Sequence, residues 1–163
     1  MRLALVLLAA SVTAPFAPVQ AEDAHVHGEA TLDVVLDDEG ALFELHVPAI
    51  DVVGFERAPA NDVEQAQVDT ALAKFGDFGA LFTIFEEAEC VASLAEAELD
   101  IDEAHAEFHV KYDLTCNAPG KLTWIEVDAF KVFPDITVVD AAVVTPTGQT
   151  GGELTLLARR LTF

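Results

Sequence analysis

Two stretches of strict alternation near the amino terminus constrain the fold more than any other feature of the chain. Leu32, Val34 and Leu36 alternate with Thr31, Asp33 and Val35, and after Asp37-Asp38-Glu39-Gly40 the run Ala41-Leu42-Phe43-Glu44-Leu45-His46 alternates again. Successive strand side chains point to opposite faces, so the pattern predicts a hairpin with one buried face. Packing fixes its register. If Leu36 faces Ala41, then Val34 faces Phe43 and Leu32 faces Leu45, and a slip of one residue would destroy that match. The same register gathers Glu29, Thr31, Asp33, Glu44 and His46 on the opposite face, and extending the alternation backwards adds His25 and His27.

From Asn61 the period changes. Asn61-Asp62-Val63-Glu64 has the form of an N-cap with a glutamate three residues on, and Val68, Ala71, Leu72 and Phe75 recur at helical spacing before Gly76. A helix is expected over residues 62 to 75. Asp77-Phe78-Gly79 carries no kinase context in so short a chain and reads as a turn.

The amino terminus lies outside this folded part. Met1-Arg2 gives a positive start, Leu3 to Ala10 is an unbroken apolar run, and Val19-Gln20-Ala21 supplies a cleavage site, so residues 1–21 are expected to be a signal peptide. The apolar run stops at Ser11, short of the ~20 residues that a membrane span requires. The remainder, residues 22–163, is expected to form one exported domain. In an oxidising compartment Cys90 and Cys116 are expected to pair, closing a loop worth roughly 3 to 4 kcal/mol on the chain-entropy picture. A thiolate metal site is the weaker alternative, since no C-x-x-C spacing is present.

The disulfide helps to place a second hairpin. Cys90 opposite Cys116 sets Ala92 against Leu114, Leu94 against Tyr112 and Glu98 against Phe108, with residues 101–105 as the tip. Phe108, Val110, Tyr112 and Leu114 then face the core, and Glu107, His109, Lys111 and Asp113 face outward. Residues 122–127, 136–144 and 154–157 are further strand candidates, separated by Phe133-Pro134 and by Thr145-Pro146-Thr147-Gly148-Gln149. The expected class is α+β: a mainly antiparallel sheet with one principal helix and one disulfide.

Composition narrows the function. The chain is 52% hydrophobic, enough to build a core, yet carries 29 Asp plus Glu against 8 Lys plus Arg, for a net charge of −21. So negative a surface repels phosphates, which excludes nucleic acid as a partner and favours cations. Removal of residues 1–21 takes Arg2 with it, leaving 29 acidic against 7 basic residues and a charge of −22. Catalysis is argued against by missing motifs. The segment after residue 21 has one serine, Ser93, in no nucleophile elbow, and no H-E-x-x-H, P-loop or G-x-G-x-x-G occurs.

The histidines carry the chemistry that remains. On a strand, His25 and His27 would direct both rings to one face with α-carbons roughly 6.5 to 7 Å apart, a span that two ligands of one metal ion can bridge. Glu29 would add a carboxylate. Such a set suits Zn²⁺ and would also accept Cu²⁺. His105 and His109, with Asp100, Asp102, Glu103 and Glu107, form a second candidate at the hairpin tip, where a solvated acidic loop is the plainer reading. His46 lies roughly 13 Å along the strand from His27 and is expected to be a hydrogen-bonded surface histidine.

His25-Val26-His27-Gly28-Glu29-Ala30 after a signal peptide, Val53-Gly54-Phe55-Glu56-Arg57-Ala58-Pro59, the two cysteines, Phe133-Pro134, and Val144-Thr145-Pro146-Thr147-Gly148-Gln149 occur in an order that resembles the ZrgA-type family of periplasmic zinc-uptake proteins. The likeness spans nearly the whole chain after the signal peptide. It implies a periplasmic protein that binds zinc and assists import through a zinc ABC transporter or its binding protein. Family members typically carry a long histidine-rich stretch between the cysteines; here that loop holds acids with only His105 and His109, which shifts weight to His25 and His27. The alternative is an interaction or scaffold module with no specific metal. Phe55, Glu56 and Arg57 match the family without a physical reason beyond a turn after the first hairpin.

Overall fold

The computed structural model describes residues 26–102 and 105–163; the expected signal peptide, His25 and Glu103 lie outside the described residues. Strands β1 (Glu29–Leu36) and β2 (Gly40–Pro48) form the expected hairpin, with Leu32 opposite Leu45, Val34 opposite Phe43 and Leu36 opposite Ala41. Leu32, Phe43 and Leu45 are completely buried. Burying each such side chain is worth about 1.5–3 kcal/mol, so a one-residue slip would forfeit several of these at once. Gly40 is required by the neighbouring strand, because a β-carbon there would lie 1.8 Å from the Leu114 carbonyl oxygen.

Helix α1 (Ile50–Val53) is a single turn after β2, and α2 (Asp62–Phe75) is the principal helix. Its start is fixed as the sequence indicates: the Asn61 side chain accepts the N–H groups of Val63 and Glu64. Arg57 adds a clamp, donating to both Glu64 oxygens at 2.6 and 3.0 Å. That guanidinium, helped by the Ala60 N–H, holds the Glu64 carboxyl down to about 2. Val68, Ala71 and Phe75 turn inward. The Asp77-Phe78-Gly79 segment, read as a turn, instead opens a four-residue helix α3 (Phe78–Leu81), because the Asp77 side chain caps the Ala80 N–H.

Beyond α3 come β3 (Phe82–Ile84), β4 (Cys90–Ile101), β5 (Ala106–Cys116), β6 (Trp124–Val127) and a short helix α4 (Ala129–Val132). The chain closes with β7 (Val138–Thr145), β8 (Gly148–Leu154) and β9 (Arg160–Thr162). Six strands form the main sheet in the order β4-β5-β2-β1-β7-β8, and β3-β6-β9 form a smaller one. All pairings are antiparallel except β1 with β7, so the chain is α+β with a mostly antiparallel sheet. Strand β8 falls earlier than residues 154–157, since only Pro146 and Thr147 form the turn after β7.

Cys90 and Cys116 are disulfide-bonded and directly opposed, as expected, with Ala92 against Leu114 and Leu94 against Tyr112. Past Leu94 the register changes. A bulge between Leu94 and Glu96 brings Glu98 opposite His109, and Leu99 rather than Glu98 opposite Phe108. Unbroken alternation from Cys90 would have sent Glu96 and Glu98 into the core; the extra residue reverses the facing and turns Ala97 and Leu99 inward.

One face of the main sheet is buried under α2, α3 and β3. Phe43, Phe78, Phe82 and Tyr112 meet there with ring centroids 5.2 to 5.9 Å apart, and Phe75 packs on Phe108 and Phe133. The Tyr112 hydroxyl donates to the Phe75 carbonyl at 2.5 Å, and burial raises its pKa above the ordinary tyrosine value. The opposite face carries the exposed or half-exposed members of each alternating pair, among them Thr31, Asp33, Glu44, His46, His109 and Asp113. No described helix is long and apolar enough to cross a membrane.

Candidate metal centre

The open face acquires its chemistry from the pairing of β2 with β5, which the sequence alone did not reveal. That pairing sets His46 directly opposite His109 and Glu44 opposite Lys111. Side chains so opposed on one face have β-carbons about 5 Å apart and must interact. The two imidazole rings stack with centroids 4.4 Å apart and planes 21° from parallel. His109 Nε2 donates to Glu44 Oε1 at 2.6 Å, and His46 Nε2 lies 3.7 Å from the same oxygen. Among the described residues, Glu44, His46 and His109 are the one group of three ligand-type side chains whose donor atoms all lie within 4.8 Å of one another.

The surrounding groups orient this trio. His46 Nδ1 donates to Glu107 Oε1 at 3.3 Å, which places the proton of a neutral ring on Nδ1 and leaves the Nε2 lone pair facing Glu44 and His109. A carboxylate that holds the far nitrogen of an imidazole is the usual support for a metal-ligating histidine. The hydrogen bond from His109 is the main reason that the Glu44 carboxyl sits below its ordinary value; partial burial opposes it and Lys111 reinforces it. Glu44 is therefore an anion over the whole neutral range. Lys111 is the competing feature: its Nζ bridges Glu44 at 3.4 Å and Glu96 at 3.5 Å.

The arrangement offers two imidazole nitrogens and one carboxylate oxygen on a solvent-facing surface, which is a three-protein-ligand set with room for water in a fourth position. A metal ion would replace the hydrogen bond between His109 and Glu44, so the His109 proton must move to Nδ1 or leave.

The other expected ligands fall elsewhere. His105 is at the β4–β5 turn, four residues before His109, where its backbone N–H donates to Asp102 Oδ1 at 2.7 Å and its Nδ1 lies 3.9 Å from the same oxygen. Glu29 begins β1, but the strand alternation does not continue back through Gly28. Gly28 has a left-handed φ of +82°, and the Glu29 N–H returns to the Val26 carbonyl, so residues 26–28 form a turn. His27 is consequently turned toward Glu56, with Nε2 4.0 Å from Oε1. The Gly28 N–H donates to the buried Asp51 Oδ2 at 2.7 Å. Burial pushes the Asp51 carboxyl above its ordinary range; Gly28 and His27 pull it down, while Asp135 and Glu56 push it further up.

The motif residues 55–57 thereby gain a physical account. Phe55 lies under the Arg57 guanidinium at 5.0 Å, Arg57 holds the α2 start, and Glu56 faces His27.

Among curated proteins, none matches the chain. A family model described as ZrgA family zinc uptake protein matches residues 24–163. With that match covering nearly all of the sequence, the chain belongs to the ZrgA family of zinc uptake proteins.

Proposed function

We propose that this chain is a periplasmic zinc-binding accessory protein, without catalytic activity of its own, that takes up Zn²⁺ on Glu44, His46 and His109 and assists its delivery to a zinc importer or that importer's binding protein. The convergence of two imidazoles and a carboxylate on one open sheet face carries this reading. Nitrogen and oxygen donors in this ratio suit Zn²⁺, and the acidic surface raises the local concentration of divalent cations. Three protein ligands on an exposed face would leave a fourth position open to exchange, which suits delivery rather than structural retention. The expected leader peptide at residues 1–21 supplies the route to the periplasm.

Calorimetric titration with Zn²⁺ at two pH values tests the reading. Imidazoles must be neutral to bind metal, and an ordinary imidazole gains its proton as pH falls through about 6.5. Glu44, held below its usual range by His109 and Lys111, keeps its charge through that window, so the loss comes from the nitrogens. Affinity is expected to fall at least about tenfold between pH 7.5 and pH 5.5. An affinity that is flat across that interval would mean that the ion is held by carboxylates alone.

A further inference from the structure

We propose, on the zinc reading of Glu44, His46 and His109, that Glu96 is a positioning residue for that centre: it draws the Lys111 ammonium off Glu44 as the metal arrives, and so sets how readily the site fills and empties. Three neighbouring strands supply the parts. In the order β4-β5-β2, Glu96 stands directly opposite Lys111 and Lys111 directly opposite Glu44, an acid–base–acid row across the open face.

The β-bulge makes this row. Ser93 pairs with Asp113 and Leu94 with Tyr112, so without an extra residue Lys111 would face Ala95 and Glu96 would point toward the core. Inserting Ala95 shifts the pairing by one and delivers Glu96 to the open face beside the ammonium. Bulges re-aim side chains in this way, and this one re-aims a carboxylate at the only lysine of the centre.

The contacts on Glu44 explain why the ammonium must move. His109 Nε2 at 2.6 Å, Lys111 Nζ at 3.4 Å and His46 Nε2 at 3.7 Å all converge on one oxygen, Oε1. A metal ion bound to Oε1 would set a double positive charge and an ammonium against the same atom, and the two cations repel. Lys111 Nζ is already 3.5 Å from Glu96 Oε2, and among the described residues Glu44 and Glu96 are the carboxylates within salt-bridge distance of it. Its flexible stem lets it close on Glu96 to about 2.8 Å, the length of a charge-assisted hydrogen bond, without losing its counter-ion. On metal release the ammonium returns to Glu44 and keeps the empty site compensated. The side chains are 31% exposed at Lys111 and 45% at Glu96, open enough for this motion and for substitution without disturbing the core.

Calorimetric titration of four proteins with Zn²⁺ tests the role: native, Glu96→Gln, Lys111→Gln and Glu96→Gln/Lys111→Gln. Glu96→Gln is expected to weaken zinc about fivefold in the native background, because Lys111 then stays on Glu44, and to change it by less than about twofold once Lys111 is gone. A carboxylate that merely attracted or ligated the metal would matter in both backgrounds. Equal weakening in both would therefore overturn the positioning role, as would native affinity in the Glu96→Gln protein; either result leaves the zinc reading of Glu44, His46 and His109 standing. Absence of saturable zinc binding in the native protein would overturn that reading and this role together.

Discussion

Replacing His46 and His109 together by alanine is expected to weaken zinc binding at the open face at least about a hundredfold, since two of its three protein ligands are lost. The fold is expected to survive, because both rings lie on the uncovered face and neither belongs to the core. Glu107→Gln separates support from ligation. It keeps a hydrogen-bond acceptor for His46 Nδ1 but lowers the basicity of the ring, with an expected loss of about tenfold. Lys111→Gln moves the other way. The ammonium holds the carboxylate that the metal needs, so its removal is expected to tighten zinc about fivefold. Binding curves for the three variants at one pH check the set; a Lys111→Gln protein that bound zinc more weakly would remove Glu44 from the ligand list.

Changing both Cys90 and Cys116 to alanine is expected to have the largest effect on stability, a loss of about 3 kcal/mol in the free energy of unfolding by urea. The bond joins the edge strand β4 to β5 at one end of a long hairpin, and at the other end the Asp102 N–H donates to the His105 carbonyl at 3.0 Å. Without the bond, β4 keeps its partner on one side alone, and its half-buried Ala92, Ala97 and Leu99 give it little apolar anchorage. A loss below about 1 kcal/mol would mean that hairpin packing, not the cross-link, holds β4. Because β5 also pairs with β2, His109 stays in register with His46, and zinc affinity is expected to change by less than about threefold.

Local periodicity made the first hairpin, α2 and the inward face of β5 legible in the sequence, because each carries an apolar stripe whose phase admits one answer. The β4 register was half legible. The disulfide fixed it as far as Leu94, but the bulge that rescues Glu96 and Glu98 from burial leaves no local signature. The parallel pairing of β1 with β7 and the pairing of β2 with β5 are contacts between distant segments, and strand alternation says which face a residue occupies, not which strand lies beside it. Alternation therefore puts Glu44 and His46 on the polar face of the first hairpin and His109 on that of the second, and does not join the three. The signal that could have joined them was the shared outward phase of the two histidine-bearing strands, had their adjacency been known. His27 illustrates the opposite limit: alternation carried it past Gly28 as though the strand continued, whereas a glycine at positive φ ends it and redirects the ring to Glu56.

The most direct measurement is a titration of the native protein with Zn²⁺ followed through the imidazole nitrogen resonances of ¹⁵N-labelled histidine. The Nε2 signals of His46 and His109 are expected to shift together, in proportion to added zinc, with Nδ1 of His46 remaining protonated against Glu107. Zinc that bound with both Nε2 signals unmoved would contradict the open-face site.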